Sequence, residues 1–301
     1  MVNKLARLKE QLSFGVSPAM ATPVVDEAGR VAVDVVPLLV DFLVHRGVKG
    51  LFVGGTTGEG ILLAQDQRRV LHETAVSAAK GRAAVLVHVG AMPTAVAVDL
   101  ARHAADIDAD AMVAVTPYFY GMHNDGLMAF YAALADAAPD TPLFAYDIPH
   151  MAGNGIGPDL AARLFREIPM MAGLKSSNRD LQAVQRLRQA VPADRLLLVG
   201  NESIALEALA LGADGMISGL STAVPEPFVA MTRAFGAGDL AEAGRQQDLI
   251  AQLLPLLAPG ARIGAIKATL AARGIPVGPP IAPLPAADAS TWPAMEALLA
   301  A

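Results

Sequence analysis

Lys175 closes an apolar run, Met170-Met171-Ala172-Gly173-Leu174, inside the stretch AGLKSSNRD. A lysine in that place is either a solvated strand tip whose ammonium snorkels to water or an amine held out of water for chemistry. In the second case burial disfavours the ammonium, and the neutral amine becomes a nucleophile toward a carbonyl carbon. Two other side chains could serve the same chemistry. Tyr146 ends a second apolar run, and its phenol can give and take a proton; Thr57, within GGTTGEG (54–60), carries a hydroxyl that can relay one. The small residues Gly55, Thr56 and Thr57 leave backbone N–H groups exposed, a cradle for a carboxylate or phosphate oxygen. Plainer readings stand beside these: a core tyrosine with a satisfied hydroxyl, and a tight glycine turn in which a threonine caps a helix. GGTTGEG is neither GxGxxG nor a P-loop, so no nucleotide motif applies.

These residues need elements to hold them. Short, continuously apolar runs, the pattern of strands buried on both faces, cover Pro18–Thr22, Gly50–Val53, Ala84–Val89, Ala111–Thr116, Pro142–Asp147, Met171–Lys175, Leu196–Gly200 and Gly215–Ser218. Helical patterns lie between them. VDVVPLLVDFLVHRG and AQDQRRVLHETAVSAAKG each close with a cation in the last turn and a glycine cap, at Arg46-Gly47 and Lys80-Gly81. Asp125–Ala138, Pro158–Arg166, Asp180–Ala190, Ser203–Leu211 and Pro225–Phe235 read similarly, and Asp147-Ile148-Pro149 reads as a turn. Eight β/α units predict an α/β chain folded as a (β/α)8 TIM barrel with a C-terminal helical extension; a doubly wound sheet is the rival that periodicity alone leaves open. The boundaries expected are a barrel over residues 1–236 and a helical domain over 237–301, the latter with helices at Leu240–Leu257, Ala261–Arg273 and Ala289–Leu299. In a barrel, chemistry sits at the C-terminal strand ends, where Lys175, Tyr146 and Thr57 would all face one pocket.

Composition narrows the function classes. The 301 residues are 53% hydrophobic and 17% charged, with a net charge of −6 and no dense basic run, which disfavours nucleic-acid binding. There is no cysteine, so disulfides, Cys-ligated zinc and thiol catalysis are excluded. The six histidines are scattered, with no His-x-His pair, which speaks against a metal-dependent aldolase. The charged start MVNKLARLKEQL lacks an apolar signal region, and the longest uncharged run, Ala83 to Val98, contains Gly90 and Pro93. A cytoplasmic protein, without nucleic-acid or membrane partners, is the expectation.

Read together, GGTTGEG, YDIP, GLKSS, VGNE and GADGMISGLS stand in the order and spacing of the dihydrodipicolinate synthase/N-acetylneuraminate lyase family, and the resemblance runs from about Gly15 to IKATLAARGIPVGPP. It implies a class I pyruvate-dependent aldolase or lyase on a (β/α)8 barrel with a helical C-terminal domain, assembled as a homotetramer, a dimer of dimers. By resemblance Lys175 matches the Schiff-base lysine, Tyr146 the proton-shuttling tyrosine and Thr57 the threonine beside it. Thr56 and Thr57 with their amides match the carboxylate pocket, and Gly200 and Ile217 match residues lining it. No metal or organic cofactor is implied.

The chain departs from the family pattern twice. Synthases of this family carry an arginine two residues after the proline of Y-x-x-P, where it holds a second carboxylate; here that place is Met151, and a thioether makes no bidentate clamp. They also send a tyrosine of a P-Y-Y segment into a neighbouring subunit, whereas Pro117 and Tyr118 are followed here by Phe119. Whether Tyr118 or Tyr120 replaces that phenol is left open by the sequence. The function expected is therefore reversible aldol cleavage of a 2-keto-3-deoxy sugar acid-like substrate, with Asp147, His150 and Asn154 placed to hydrogen-bond hydroxyls of the aldehyde fragment. The rivals are the synthase condensing pyruvate with aspartate semialdehyde, a dehydratase using the same imine, and a catalytically silent binding or regulatory barrel.

Overall fold

The apolar runs form eight strands, β1 (Val16–Pro18), β2 (Gly50–Val53), β3 (Ala84–His88), β4 (Ala111–Val115), β5 (Leu143–Asp147), β6 (Met171–Ser176), β7 (Leu196–Val199) and β8 (Gly215–Ser218). The computed structural model describes residues 4–257, 260–287 and 292–300. Every residue of every strand is buried, the pattern of a sheet covered on both faces. The strand order is β1-β8-β7-β6-β5-β4-β3-β2, and an isolated parallel bridge between Ala19 and Phe52 joins the two strands at the ends of that order. The pairs from β3 to β8 are parallel. This is the (β/α)8 TIM barrel expected, not the doubly wound sheet.

The helices are α1 (Lys4–Leu12), α2 (Val36–His45), α3 (Gln65–Ala79), α4 (Thr94–Asp106), α5 (Asn124–Ala137), α6 (Pro149–Ala152), α7 (Pro158–Glu167), α8 (Leu181–Ala190), α9 (Ala205–Ala210), α10 (Glu226–Gly236), α11 (Leu240–Leu253), α12 (Arg262–Ala272) and α13 (Trp292–Ala300). Their ends carry recognisable chemistry. Asp180 caps α8 by accepting the Gln182 N–H, Asp239 caps α11 by accepting that of Glu242, and Pro158 opens α7 where no N–H is needed. The first residues of the last helix expected, 289–291, lie outside the described residues. Among the described residues no helix is long and apolar enough to cross a membrane.

Some expectations are corrected. The first strand ends at Pro18 rather than beginning there: Ala19 N–H still bonds Ser218 O and Met20 N–H bonds Phe52 O, but Ala21 N–H turns to the Thr222 hydroxyl and the chain leaves the ladder. Helix α4 was not anticipated. The turn at Asp147-Ile148-Pro149 becomes one helical turn, α6, because Pro149 fixes its first φ and Gly153, at φ +79°, closes it by donating to Pro149 O. At the end of α3, Lys80 itself takes the left-handed cap at φ +44°, ahead of Gly81, instead of sitting in the last turn.

Packing divides the chain into two compact units, Met1–Gly15 with Ala84–Ile217, and Val16–Ala83 with Ser218–Ala301. In the first, Asp214 fastens the lower ends of the strands: it accepts the Leu197 N–H at 2.8 Å and pairs with Arg188 at 2.9 Å and Lys9 at 3.1 Å. In the second, Arg273 and Arg46 share the Glu226 carboxylate and stand over the Phe42 ring, tying α2, α10 and α12.

Candidate active site

The parallel register of β5, β6 and β7 sets the site. Tyr146 pairs with Lys175, and Lys175 with Leu198, so the three side chains form one layer at the C-terminal strand ends. The layer below pairs Phe144 with Gly173. A Cβ on Gly173 would come within 2.5 Å of the Phe144 ring and of Leu196 O, so the glycine makes room for the ring that floors the site. Lys175 is 3% exposed and Tyr146 2%. Lys175 is therefore the amine held out of water, not a strand tip.

Lys175 Nζ stands 3.8 Å from the centroid of the Tyr146 ring. Burial pushes the Lys175 amine below the ordinary lysine value, and Tyr146 and the charge of Glu202 pull it partly back. Gly200, just past β7, is needed at its position: a Cβ there would run into Ser177 Oγ and stand 3.1 Å from Lys175 Cε. Glu202 lies in the VGNE string, yet its charge did not register in the sequence as a neighbour of Lys175. Ile217, in β8, is buried.

The loops after β4, β5 and β6 are laced to one another. Asp147 is buried and accepts from Ile156 N–H at 2.9 Å and Asn178 Nδ2 at 2.5 Å, with the Ser176 hydroxyl at 3.4 Å. Burial nevertheless raises its pKa to about 6. Asn154 spends both amide hydrogens on Pro117 O (2.7 Å) and Tyr120 O (2.8 Å), and its Oδ1 accepts the Met122 N–H at 2.9 Å. The Thr116 hydroxyl bonds Asn154 O at 3.0 Å. Asn154 thus has no side-chain N–H left for a substrate hydroxyl, and Asp147 is turned to its own loops; both expectations are corrected, because Asn154 holds backbone and Asp147 is claimed by one backbone N–H and two side chains. His150 and Met151 do stand outward, Met151 at 62% exposure, and burial together with the charge of Arg179 lowers the His150 pKa. Tyr118 is half-buried, while Phe119, at φ +76°, and Tyr120 are exposed and meet edge to face at 5.1 Å.

In the second unit, GGTTGEG follows β2 as a tight loop. Gly60 N–H bonds Gly55 O and Glu59 N–H bonds Thr56 O, each at 3.1 Å, and the Thr22 hydroxyl holds Gly58 O. Gly55 is buried, Thr57 half-buried and Thr56 exposed. Glu59 was passed over in the sequence, where nothing local marks it out; it is buried. Among the described residues no group of three or more His, Asp or Glu stands together as a metal site.

Comparison with known proteins places this arrangement. The family model of the dihydrodipicolinate synthetase family matches residues 12–301. A 4-hydroxy-tetrahydrodipicolinate synthase of Exiguobacterium sp. is 34% identical over 94% of this chain and 97% of its own. An N-acetylneuraminate lyase of Mediterraneibacter gnavus is 30% identical over 87% of this chain and 84% of its own. Among solved structures, a catalytic-lysine mutant of Ruminococcus gnavus sialic acid aldolase superposes with a TM-score of 0.91 at 28% identity, covering 97% of this chain and 96% of that one. The chain belongs to the dihydrodipicolinate synthetase family and is a class I, Schiff-base-forming lyase.

Proposed function

We propose that Lys175 carries the imine, and that the chain reversibly cleaves a 2-keto-3-deoxy sugar acid-like substrate to pyruvate and an aldehyde. One observation carries the reading: a lysine 3% exposed, its amine made less basic by burial, with Nζ 3.8 Å over a tyrosine ring. The neutral amine attacks the 2-oxo carbon, and the carbinolamine hydroxyl leaves as water on taking the Tyr146 phenol proton, giving a protonated imine and a phenolate. The Tyr146 phenolate, with Thr57 relaying, takes the proton of the C4 hydroxyl; the C3–C4 bond breaks, its electron pair enters the imine as an enamine, and the aldehyde departs. Protonation of the enamine carbon and hydrolysis release pyruvate and the free lysine. The amides and hydroxyls of Gly55, Thr56 and Thr57 are assigned to the carboxylate, and Gly200 and Ile217 are assigned to substrate binding.

The aldehyde end falls to Tyr118, His150 and Met151. Met151 offers no charge, which favours an aldehyde whose hydroxyls, rather than a carboxylate, are recognised. No metal or organic cofactor takes part, and the enzyme works as a cytoplasmic homo-oligomer, a dimer of dimers. A second reading, condensation of pyruvate with aspartate semialdehyde, is favoured by the name of the 34%-identical relative.

Intact mass after incubation with pyruvate and sodium borohydride tests the proposal, with Lys175→Ala in parallel. One reduced pyruvyl group on the parent alone supports it; no adduct on either overturns it for pyruvate. Turnover with neutral polyhydroxy aldehydes against aspartate semialdehyde then separates the two readings.

A further inference from the structure

Two charged groups of the second unit are buried and have no task in that chemistry. Glu59, in the middle of GGTTGEG, and Lys267, on α12, have side chains 0% and 1% exposed and pair at 2.5 Å. Lys267 Nζ also donates to Pro279 O at 2.8 Å, and Glu59 Oε1 accepts the Ile281 N–H at 2.5 Å. Both ends of the pair therefore grip the segment that follows α12.

An interior ion pair is a poor way to gain stability, since apolar residues of similar volume often do as well or better. Its use here lies in what it fixes. Glu59 adopts φ +56°, a left-handed conformation uncommon for a residue with a side chain, between two glycines that have no slack. A Cβ at Gly58 would stand 2.8 Å from Met20 O, and one at Gly60 would collide with Gly54 O. Glu59 is thus the one side chain at 58–60 through which the loop can be held from outside. Its backbone N–H bonds Thr56 O and that of Gly60 bonds Gly55 O, so any shift of Glu59 passes directly into Gly55–Thr57.

We propose that Glu59 and Lys267 act as a strut that sets the position of the Gly55–Thr57 cradle, making α12 and Pro279–Ile281 positioning elements for the substrate carboxylate. This rests on the reading of that cradle given under Proposed function. The strut touches no reacting atom; it acts through the loop it holds.

The test uses Glu59→Gln and the double variant Glu59→Gln/Lys267→Met, which removes both charges and leaves no ion unpaired. Two readouts are taken: hydrogen exchange of the peptide over 54–62, and the pyruvate concentration giving half-maximal borohydride trapping on Lys175. A strut predicts that both variants exchange the loop peptide about tenfold faster while peptides over β5 and β6 are unchanged. It also predicts that both need about tenfold more pyruvate at a near-parental maximal trapping rate. If the single variant fails to fold, the double variant carries the test alone. Parental loop exchange and parental pyruvate dependence in a folded double variant would overturn the strut and leave the pair a matter of stability only. If the parent itself takes no pyruvyl group, the proposed function falls, while loop exchange still decides whether the strut exists.

Discussion

Lys175 and Lys267 are both buried lysines whose amines are made less basic by desolvation, yet the two are built for opposite ends. Lys267 meets a carboxylate at 2.5 Å and a backbone carbonyl at 2.8 Å, which restore part of what burial takes and keep the side chain in place. Lys175 faces the ring of a tyrosine at 3.8 Å, and the charge of Glu202, from the same unit, acts on it. A carboxylate clamp holds a proton on an amine; a phenol can hand one over and take it back. The difference in partner, not in burial, is what separates the proposed strut from the proposed nucleophile.

The sharpest break of that comparison exchanges each lysine for methionine. Lys175→Met removes the proposed nucleophile and should lower turnover at least about a thousandfold, as loss of a covalent nucleophile does. Its melting temperature should stay level or rise. Below the unfolded lysine pKa the folded state binds that proton less tightly than the unfolded chain does, so the ammonium costs stability near neutrality, and the thioether relieves it. Lys267→Met leaves Glu59 buried and unpaired and should cost about 3–5 kcal/mol in denaturant unfolding. If Lys175→Met destabilised as much as Lys267→Met, the two lysines would be structural alike and the contrast would fail.

Much of the first lysine's setting was legible in the sequence, and little of the second's. The strands at Gly50–Val53 and Gly215–Ser218 have the bounds expected, because continuous apolar runs bounded by turn residues admit few other readings. Lys175 and Tyr146 each end such a run, and register then forces them side by side. Glu59 and Lys267 lie 208 positions apart in the numbering, and no local pattern announces that they meet. Asp147 and Asn154 were misread for a related reason. A polar residue after a strand looks like a ligand for substrate until the carbonyls and amides that claim it are seen, and those belong to other loops. The first strand was misplaced because Pro18 looks like a beginning, whereas it is the last residue of the strand.

Asp147 extends the comparison to an acid. Burial raises its pKa to about 6 from 3.8, so between those values the folded protein binds a proton that the unfolded chain releases. Stability should therefore climb as pH falls from 7 toward 4, by about 3 kcal/mol from this one group. Asp147→Asn should flatten that rise in denaturant midpoints taken across the range. A parent whose stability falls steadily from pH 7 to pH 4 along with the variant's would show the carboxylate already well paired, a second Glu59 rather than a strained acid.

The smallest effect belongs to Asn154. Its amide holds two carbonyls and one N–H of the 117–122 loop, which carries Tyr118 and lies partly in water, so the loop can recover most of the lost bonds from solvent. Asn154→Ala should cost about 1–2 kcal/mol of stability. Pyruvate trapping on Lys175 should be unaffected, since no reacting atom meets Asn154, while the requirement for the aldehyde should rise a few-fold as Tyr118 loses its fixed place. Asn154→Asp keeps the acceptor for Met122 N–H but neither donor, so it should behave like alanine rather than like the parent. Parallel measurement of His150→Ala separates a residue that acts through a loop from one that meets the aldehyde itself: His150→Ala should change the aldehyde requirement with no loss of stability. Equal stability losses in the two would place His150, too, among the residues that hold the loops together.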